Sequence, residues 1–178
     1  MDYIAIIDKY YSDNDKLRHL LLKHSMAVAD KALAIVDSHS ELKVNRAFIK
    51  EAAMLHDIGI FLCDAPGIFC FGSEPYICHG RLGADLLRKE GYPLHARVCE
   101  RHTGAGITKQ QIIDCNLPLP KQDFLPETVE EEIICYADKF FSKSKPNVTK
   151  TYEQAIKSLS KFGEEGIIRF KNWAARFE

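Results

Sequence analysis

Apolar residues recur along most of the chain at three- and four-residue spacings, and no run alternates between apolar and polar as a strand would. This pattern predicts a short first helix over Tyr3–Tyr10. The polar run Ser12–Asn14 offers N-caps for a long second helix that reaches about Val36. A third helix is predicted from about Asn45, and Gly59 suits its C-terminal end.

The middle of the chain is predicted to hold two shorter helices between two loops. Prolines and glycines within Cys63–Ile77 predict an irregular loop. A fourth helix is predicted over about Gly80–Glu90, and a fifth over Pro93–His102, because Pro is favoured at the first position of a helix. The segment Gly104–Pro126 is again rich in glycine and proline, so a long loop with one helical turn is expected there.

Three further helices are predicted over Pro126–Phe141, Thr151–Lys161 and Glu164–Phe177, with a break at Pro146. The chain is therefore expected to be all-α, a bundle of seven or eight helices around one core and without a sheet. A length of 178 residues fits one domain, so residues 1–178 are expected to form a single unit.

Charge and composition narrow the classes of partner. The 24 basic and 25 acidic residues give a net charge of −1, so no global field favours a nucleic acid duplex or an anionic membrane. A small anionic substrate remains compatible, since a local site can be positive. Without a basic leader or a long apolar run, a cytoplasmic location is expected.

The six cysteines form no CxxC pair and are expected to be reduced and mostly buried. An alternative is a redox-sensitive group made of Cys63, Cys70 and Cys78, which lie close together in the first predicted loop.

The candidate chemistry begins with His56-Asp57, at the end of the apolar third helix. A charged Asp there costs free energy unless it is paired, and a divalent metal ion would pair it. The alternative is structural, with His56 capping the helix and Asp57 in the following turn. By itself, this dipeptide does not distinguish the two interpretations.

Four more polar residues interrupt apolar helix faces or begin a helix. His24 lies between Leu21 and Val28 on the core face of the second helix, where a satisfied core histidine is the structural alternative. An unpaired Asp is rarely fully buried. The other three interruptions are His79 at the start of the fourth helix, His102 one turn after Val98, and Asp138 one turn after Ile134.

Imidazole and carboxylate groups together suit Fe, Mn, Ni, Co or Zn better than Mg or Ca, which prefer oxygen throughout. Six such groups exceed the needs of one tetrahedral zinc ion and suffice for two metal ions. The remaining histidines, His19, His39 and His95, lack this context and are interpreted as surface or structural residues.

The order of these residues resembles the H…HD…H…H…D signature of the HD superfamily of metal-dependent phosphohydrolases. The run HDIG at 56–59 marks a subgroup of that family, and YADK at 136–139 resembles the usual context of its last Asp. The resemblance covers about residues 17–143, so the helices within 151–177 lie outside it, and it implies an HD-domain helical bundle. The layout is also similar to that of bacterial symmetrical diadenosine tetraphosphate hydrolases.

The resemblance implies a role for each residue. A first metal ion would be bound by His24, His56, Asp57 and Asp138. Asp57 would bridge to a second ion, which His79 and His102 would complete, and a metal-activated water would be the nucleophile. Members of the family mostly hydrolyse phosphoesters, often of nucleotides. The implied function is therefore cleavage of a phosphoester or phosphoanhydride bond of a small metabolite such as a nucleotide.

A phosphate substrate also needs cationic side chains. Arg81 and Lys139 are each close in sequence to a proposed ligand and, with Asp57, form the predicted catalytic set. Lys143 lies one turn after Lys139 and extends this patch, whereas Arg101 is a weaker candidate. For each of these cations the structural alternative is an ordinary surface residue.

Two other functions share the same ligand set. One is a di-iron oxygenase of the same fold, and the other is a non-catalytic module that binds a nucleotide and signals through a partner. The last helices, with Trp173 and Phe177, either form a homodimer contact or pack on the chain's own core. The sequence does not choose between one and two metal ions, or between monoesters, diesters and dinucleoside polyphosphates.

Overall fold

The computed structural model describes residues 1–178 and contains nine α-helices. The helices are α1 Tyr3–Tyr11, α2 Asp15–Ser38, α3 Arg46–Leu55, α4 His79–Lys89, α5 Pro93–Arg101, α6 Lys109–Asp114, α7 Val129–Asp138, α8 Tyr152–Leu159 and α9 Glu164–Phe177. The all-α prediction is confirmed. The count exceeds the predicted seven or eight because the helical turn expected in the second loop is the six-residue α6.

Local capping explains where the helices that carry the site begin. The Asn14 side chain accepts a hydrogen bond from the Leu17 N–H, which fixes the start of α2. Asn45 accepts in the same way from the Phe48 N–H at the start of α3. Both starts agree with the predicted ones.

The bounds of α7 differ from the prediction of Pro126–Phe141. Its start is set by Thr128 and Glu131, which form a capping box, so the helix begins three residues later. It ends early because the Phe140 N–H donates to the carbonyl three residues before it, which tightens the last turn. The shortened α7 ends at Asp138.

The loop predicted over Cys63–Ile77 has more order than expected. Strands β1 (Asp64–Ala65) and β2 (Cys70–Phe71) pair antiparallel, and short 3₁₀ turns flank them. The prediction of no sheet is wrong in this detail, because a chain that turns back on itself within six residues satisfies its backbone groups by pairing. The cysteines are free, and all but Cys115 are buried.

Two buried apolar clusters meet along α2. Leu17 to Leu21 pack with α1, α4 and the segment after α3, whereas Val28 to Ile35 pack with α3, α7, α8 and α9. His24 lies between them on the same helix and is buried. The polar site therefore lies where the two clusters meet.

The C-terminal helices belong to the chain's own core. Trp173 and Phe177 are only 4% and 2% exposed and lie in the cluster that contains Tyr136 and Phe170. This is the second of the two alternatives considered for these aromatic residues. None of the helices combines the length and apolar composition that a membrane span needs.

Candidate metal centre

The six predicted ligands converge onto one buried position from three helices, α2, α4 and α7, and from the residues that directly follow α3 and α5. Each is less than 9% exposed. Their ligand atoms form two groups, within each of which all atoms lie within 4.8 Å of one another. Asp57 belongs to both groups. The first contains His24, His56, Asp57 and Asp138, and the second contains Asp57, His79 and His102.

In the first group, the imidazoles face one oxygen of each carboxylate. His24 Nε2 lies 3.1 Å from Asp57 Oδ2 and 3.0 Å from Asp138 Oδ1. His56 Nε2 lies 2.9 Å from the same Asp57 Oδ2. The two Nε2 atoms are 3.3 Å apart.

In the second group, the imidazoles face the other oxygen of Asp57. His79 Nε2 and His102 Nε2 lie 3.3 and 3.4 Å from Asp57 Oδ1. The two Nε2 atoms are 3.1 Å apart. Because each oxygen of Asp57 faces a different group, this carboxylate has the arrangement needed to bridge two cations.

Three of the four histidines are oriented through their other ring nitrogen. In His56, His79 and His102, Nδ1 donates to the main-chain carbonyl three residues earlier, at 2.7, 2.6 and 2.7 Å. In a neutral ring, this Nδ1 proton leaves the Nε2 lone pair facing the cluster. This is the usual second hydrogen bond of a metal-binding histidine.

The cluster fits a bound cation. In this tautomer the Nε2 lone pairs of His79 and His102 face each other at 3.1 Å, which is repulsive unless a cation lies between them. Neither oxygen of Asp57 receives a well-directed hydrogen bond, although nitrogens surround it. Buried polar groups normally have a partner, and these atoms have no well-directed one within the protein. They are nitrogen and oxygen atoms of the kind that coordinate a divalent transition metal ion.

Both carboxylates of the cluster are ionised. Burial by itself would raise the pKa of Asp57, but the neighbouring His56 and Lys143 hold it well below its usual value. Burial opposes ionisation of Asp138 in the same way, and Lys139 and His24 outweigh it, so its pKa is also well below the usual value. Ionised carboxylates are the form that binds metal.

The pKa values of His102 and His56 are shifted in opposite directions. Burial lowers the pKa of His102 to about 4, so its imidazole is neutral at pH 7. Burial also acts to lower the pKa of His56, but Asp57 and Asp138 outweigh it and raise the value to about 9. A metal ion at His56 would take the place of this proton, so metal binding there would release one.

Two lysines lie directly at the cluster. Lys139 is buried, and its ammonium is 2.6 Å from Asp138 Oδ2 and donates to the His102 carbonyl at 3.1 Å. The Lys143 ammonium lies 2.5 Å from Asp57 Oδ2. The structure thus brings to the cluster both Lys139, a member of the predicted catalytic set, and Lys143, its predicted extension.

The structure does not bring Arg81 to the site. Its guanidinium pairs with Asp85 one turn later on α4, at 2.8 Å, and the residue does not line the cavity at the cluster. His79 and Arg81 are two residues apart at the start of α4, so their side chains point in different directions from the helix. Closeness to His79 in sequence therefore does not bring the Arg81 side chain to the cluster. Arg101 is held by Glu127 and the Leu125 carbonyl, which makes it structural.

Glycines allow the helices that carry the second group to approach closely. A Cβ at Gly59 would lie 2.4 Å from the His79 carbonyl oxygen, and one at Gly80 would lie 2.5 Å from the Cys99 carbonyl oxygen. The glycine of the HDIG run therefore lets α4 contact the chain just after Asp57. Close packing of α4 on α5 then brings His79 next to His102.

A cavity of about 630 Å³ opens onto the cluster through His79, His102 and Asp138. Its walls come from the start of α4, from α6, α7 and α8, and from the adjoining loops. Sequence reasoning missed the residues contributed by α6 and the C-terminal segment, because contacts between distant segments leave no local pattern. The main ones are Gln111, Lys150, Ser158, Lys161 and Phe162.

The HD domain family model matches residues 21–142, which contain all six clustered residues. The chain belongs to the HD domain family. This HD chain is similar to an uncharacterized protein of Methanocaldococcus jannaschii, with 33% identity over 160 residues that cover 86% of the chain and 83% of the relative.

Two other relatives are much longer proteins. They are tRNA (cytidine(56)-2'-O)-methyltransferases of Picrophilus torridus and Thermoplasma volcanium, with 33% and 32% identity over 124 and 126 residues. The matches cover 69% and 70% of the HD chain but 32% of each methyltransferase. The chain thus spans about a third of these relatives.

Solved structures support the HD fold. The HD domain of the L. monocytogenes phosphodiesterase PgpH is similar, with a TM-score of 0.57 and 17% identity, and 94% of each chain is covered. The same domain in complex with cyclic-di-AMP gives a TM-score of 0.56 at 16% identity, covering 95% of this chain and 92% of that one. At this identity the likeness concerns the fold.

Proposed function

We propose that this HD domain is a metal-dependent phosphohydrolase that cleaves a phosphoester or phosphoanhydride bond of a small metabolite, namely a nucleotide. One observation carries the proposal. A buried cluster of four imidazoles and two ionised carboxylates opens directly into a cavity with four lysines in its walls. The cluster suits divalent metal ions, and the lysines suit an anionic substrate.

The residues divide into two sets around Asp57. His24, His56, Asp57 and Asp138 would hold one divalent ion, and Asp57, His79 and His102 would hold a second. When bound, such ions activate water near neutral pH and offset the charge that develops on the phosphoryl oxygens. This chemistry needs no serine or cysteine nucleophile.

The lysines and aromatic residues position the substrate. Lys139 and Lys143 form ion pairs with Asp138 and Asp57. Once bound metal compensates the charge of these carboxylates, the two ammonium groups can instead bind phosphate oxygens. Tyr76, Phe141 and Phe162 line the cavity and offer ring faces to a nucleobase.

The names of the relatives guide the choice of substrates to test. A structural neighbour was solved with cyclic-di-AMP, so cyclic dinucleotides belong in the panel. The similarity to symmetrical diadenosine tetraphosphate hydrolases adds dinucleoside polyphosphates. The methyltransferase activity belongs to relatives of which this chain spans a third, and it is not proposed here.

The deciding experiment is product analysis after incubation of the Mn- or Fe-loaded protein with nucleoside monophosphates, cyclic dinucleotides and diadenosine tetraphosphate. Asp57→Ala is the inactive variant, and Asp30→Ala, at an exposed position of α2, is the matched control. Cleavage of one class by wild type and Asp30→Ala, but not by Asp57→Ala, is expected. Equal cleavage by all three would refute the site, and oxygen consumption by the Fe-loaded protein without phosphate release would favour the oxygenase.

A further inference from the structure

The cavity carries positive charge that the metal cluster does not account for. Four lysines line it, and two of them, Lys139 and Lys143, are paired with Asp138 and Asp57. The other two, Lys150 and Lys161, form no ion pair with a carboxylate.

Lys150 is held in place beside the cluster. Its main-chain N–H donates to the Phe140 carbonyl at 2.8 Å, and its ammonium donates to the Lys139 carbonyl at 3.2 Å. The side chain is half-buried, and burial together with the nearby Lys139 and Lys161 lowers its pKa. Cations gathered in a partly buried wall repel one another, so an anion at this place would relieve both the repulsion and the lost hydration.

Lys161 lies at the rim, in a turn that is fixed to the opposite side of the cavity. The Gln111 side chain donates a hydrogen bond to the Phe162 carbonyl. The Phe162 ring packs on Gly104, where an added Cβ would lie 3.0 Å from it. The rim is therefore held in position across the opening.

One acidic residue also lines the cavity apart from the cluster. Asp114 is exposed and accepts a hydrogen bond from Gln110 on its own helix at 2.7 Å. It pairs with neither Lys150 nor Lys161, so the positive character of this wall remains.

We propose that Lys150 and Lys161 form a second anion subsite, so that the preferred substrate carries a second phosphate group beyond the one placed at the His/Asp cluster. This rests on the proposed hydrolase function and narrows it to nucleoside polyphosphates or dinucleotides, as opposed to nucleoside monophosphates. Both lysines lie outside residues 21–142, the part that matches the HD family. The C-terminal segment thus acts as a specificity wall added to the common HD framework.

The test compares anions with one and two phosphorus centres by calorimetry on the Mn-loaded protein. The probes are inorganic phosphate and methylenediphosphonate, which resists hydrolysis. The variants are Lys150→Gln, Lys161→Gln and the double variant. Lys157→Gln is the matched control, because this lysine is exposed on the intervening α8 and does not line the cavity.

The double variant is expected to bind methylenediphosphonate about tenfold more weakly, which corresponds to about 1.4 kcal/mol, while phosphate binding stays close to wild type. Lys157→Gln should bind both probes as wild type does. Equal weakening for both probes, or no weakening beyond that of Lys157→Gln, would overturn the subsite. Because the readout is binding, selective weakening without turnover of any nucleotide would sustain the subsite and reject the hydrolase.

Discussion

At the scale of single residues, the site is defined by how Asp57 and the histidines use their polar atoms. The backbone fixes Nδ1 of three histidines, which leaves Nε2 for the cluster. Each oxygen of Asp57 meets a different pair of imidazoles, and Oδ2 also meets the Lys143 ammonium at 2.5 Å. The Lys143 ammonium thus supplies positive charge beside Asp57, as a bound metal ion would.

Replacing Lys143 with Met should destabilise the metal-free protein more than the metal-bound one. Without metal, the Lys143 ammonium compensates the buried Asp57 carboxylate, and leaving a buried acceptor without its charged partner costs on the order of 1–3 kcal/mol. With metal bound, the ion compensates Asp57 instead. The check is thermal unfolding with EDTA and with Mn²⁺, and the metal-induced rise in Tm should be larger in Lys143→Met than in wild type.

Lys145→Met is the control for this variant, because Lys145 lies on the same segment, is exposed and has no side-chain partner. A metal-induced rise that is the same in Lys143→Met, Lys145→Met and wild type would contradict the compensating role of Lys143.

If the two proposed groups each hold an ion, His79→Ala should lower the metal content of the purified protein from two ions per chain towards one. His79 belongs only to the second group, so the four ligands of the first group remain intact. Elemental analysis of the reconstituted variant measures this directly. His19→Ala, at a histidine outside the cluster, should keep the wild-type content, and an unchanged content in His79→Ala would instead point to a mononuclear centre.

At the scale of elements, the site depends on how closely α4 packs on α5 and on the turn after α3. Gly80 contacts the Cys99 carbonyl, and Gly59 contacts the His79 carbonyl, at distances that leave no space for a Cβ. Helix α4 therefore carries His79 to His102 only while these positions have no side chain. The approach of His79 to His102 is thus a product of helix packing.

Gly80→Ala should move α4 away from α5 and weaken metal binding by the proposed second group, Asp57, His79 and His102. Overpacking of this kind typically costs about 1–3 kcal/mol, and the shift should separate His79 from His102. The expected result is a lower Tm together with a metal content reduced towards one ion per chain. Gly67→Ala is the matched control, since a Cβ there meets nothing within 4 Å, and equal behaviour of the two variants would show that this contact does not position the site.

Local sequence signals predict the helices that position the ligands. The features that the sequence does not predict depend on contacts between residues far apart in the chain. Asn14 and Asn45 are caps that act within three residues, so the starts of α2 and α3 were predictable. The Thr128 capping box is equally local, but Pro126 competes with it as a signal for the start of α7. The side of the cavity that carries Lys150 and Lys161 is held by contacts between distant residues. One is the hydrogen bond between Gln111 and Phe162, about 50 positions apart, and no periodicity in the sequence connects such residues.

At the scale of the whole molecule, the cluster lies between the two apolar cores. Helix α2 contributes Leu17, Leu20 and Leu21 to one core and Val28 to Ile35 to the other, with His24 between them. Helix α3 likewise places Ile49 in one core and Leu55 in the other, just before His56. Ions bound here would link helices from both halves of the fold.

Metal removal should therefore lower the stability of the whole chain. A ligand that binds only the folded state stabilises it by about 2.7 kcal/mol when its free concentration is about 100 times Kd. For a chain of this size that corresponds to a rise in Tm of about 5–10 °C. Titration of EDTA-treated protein with Mn²⁺ during thermal unfolding measures the rise, which should grow with metal concentration in wild type and in Asp30→Ala. In Asp57→Ala, which lacks the carboxylate shared by both groups, the rise should be absent, because neither ion then has its full ligand set. A rise of the same size in Asp57→Ala would mean that Mn²⁺ stabilises the fold from somewhere other than the space between the two cores.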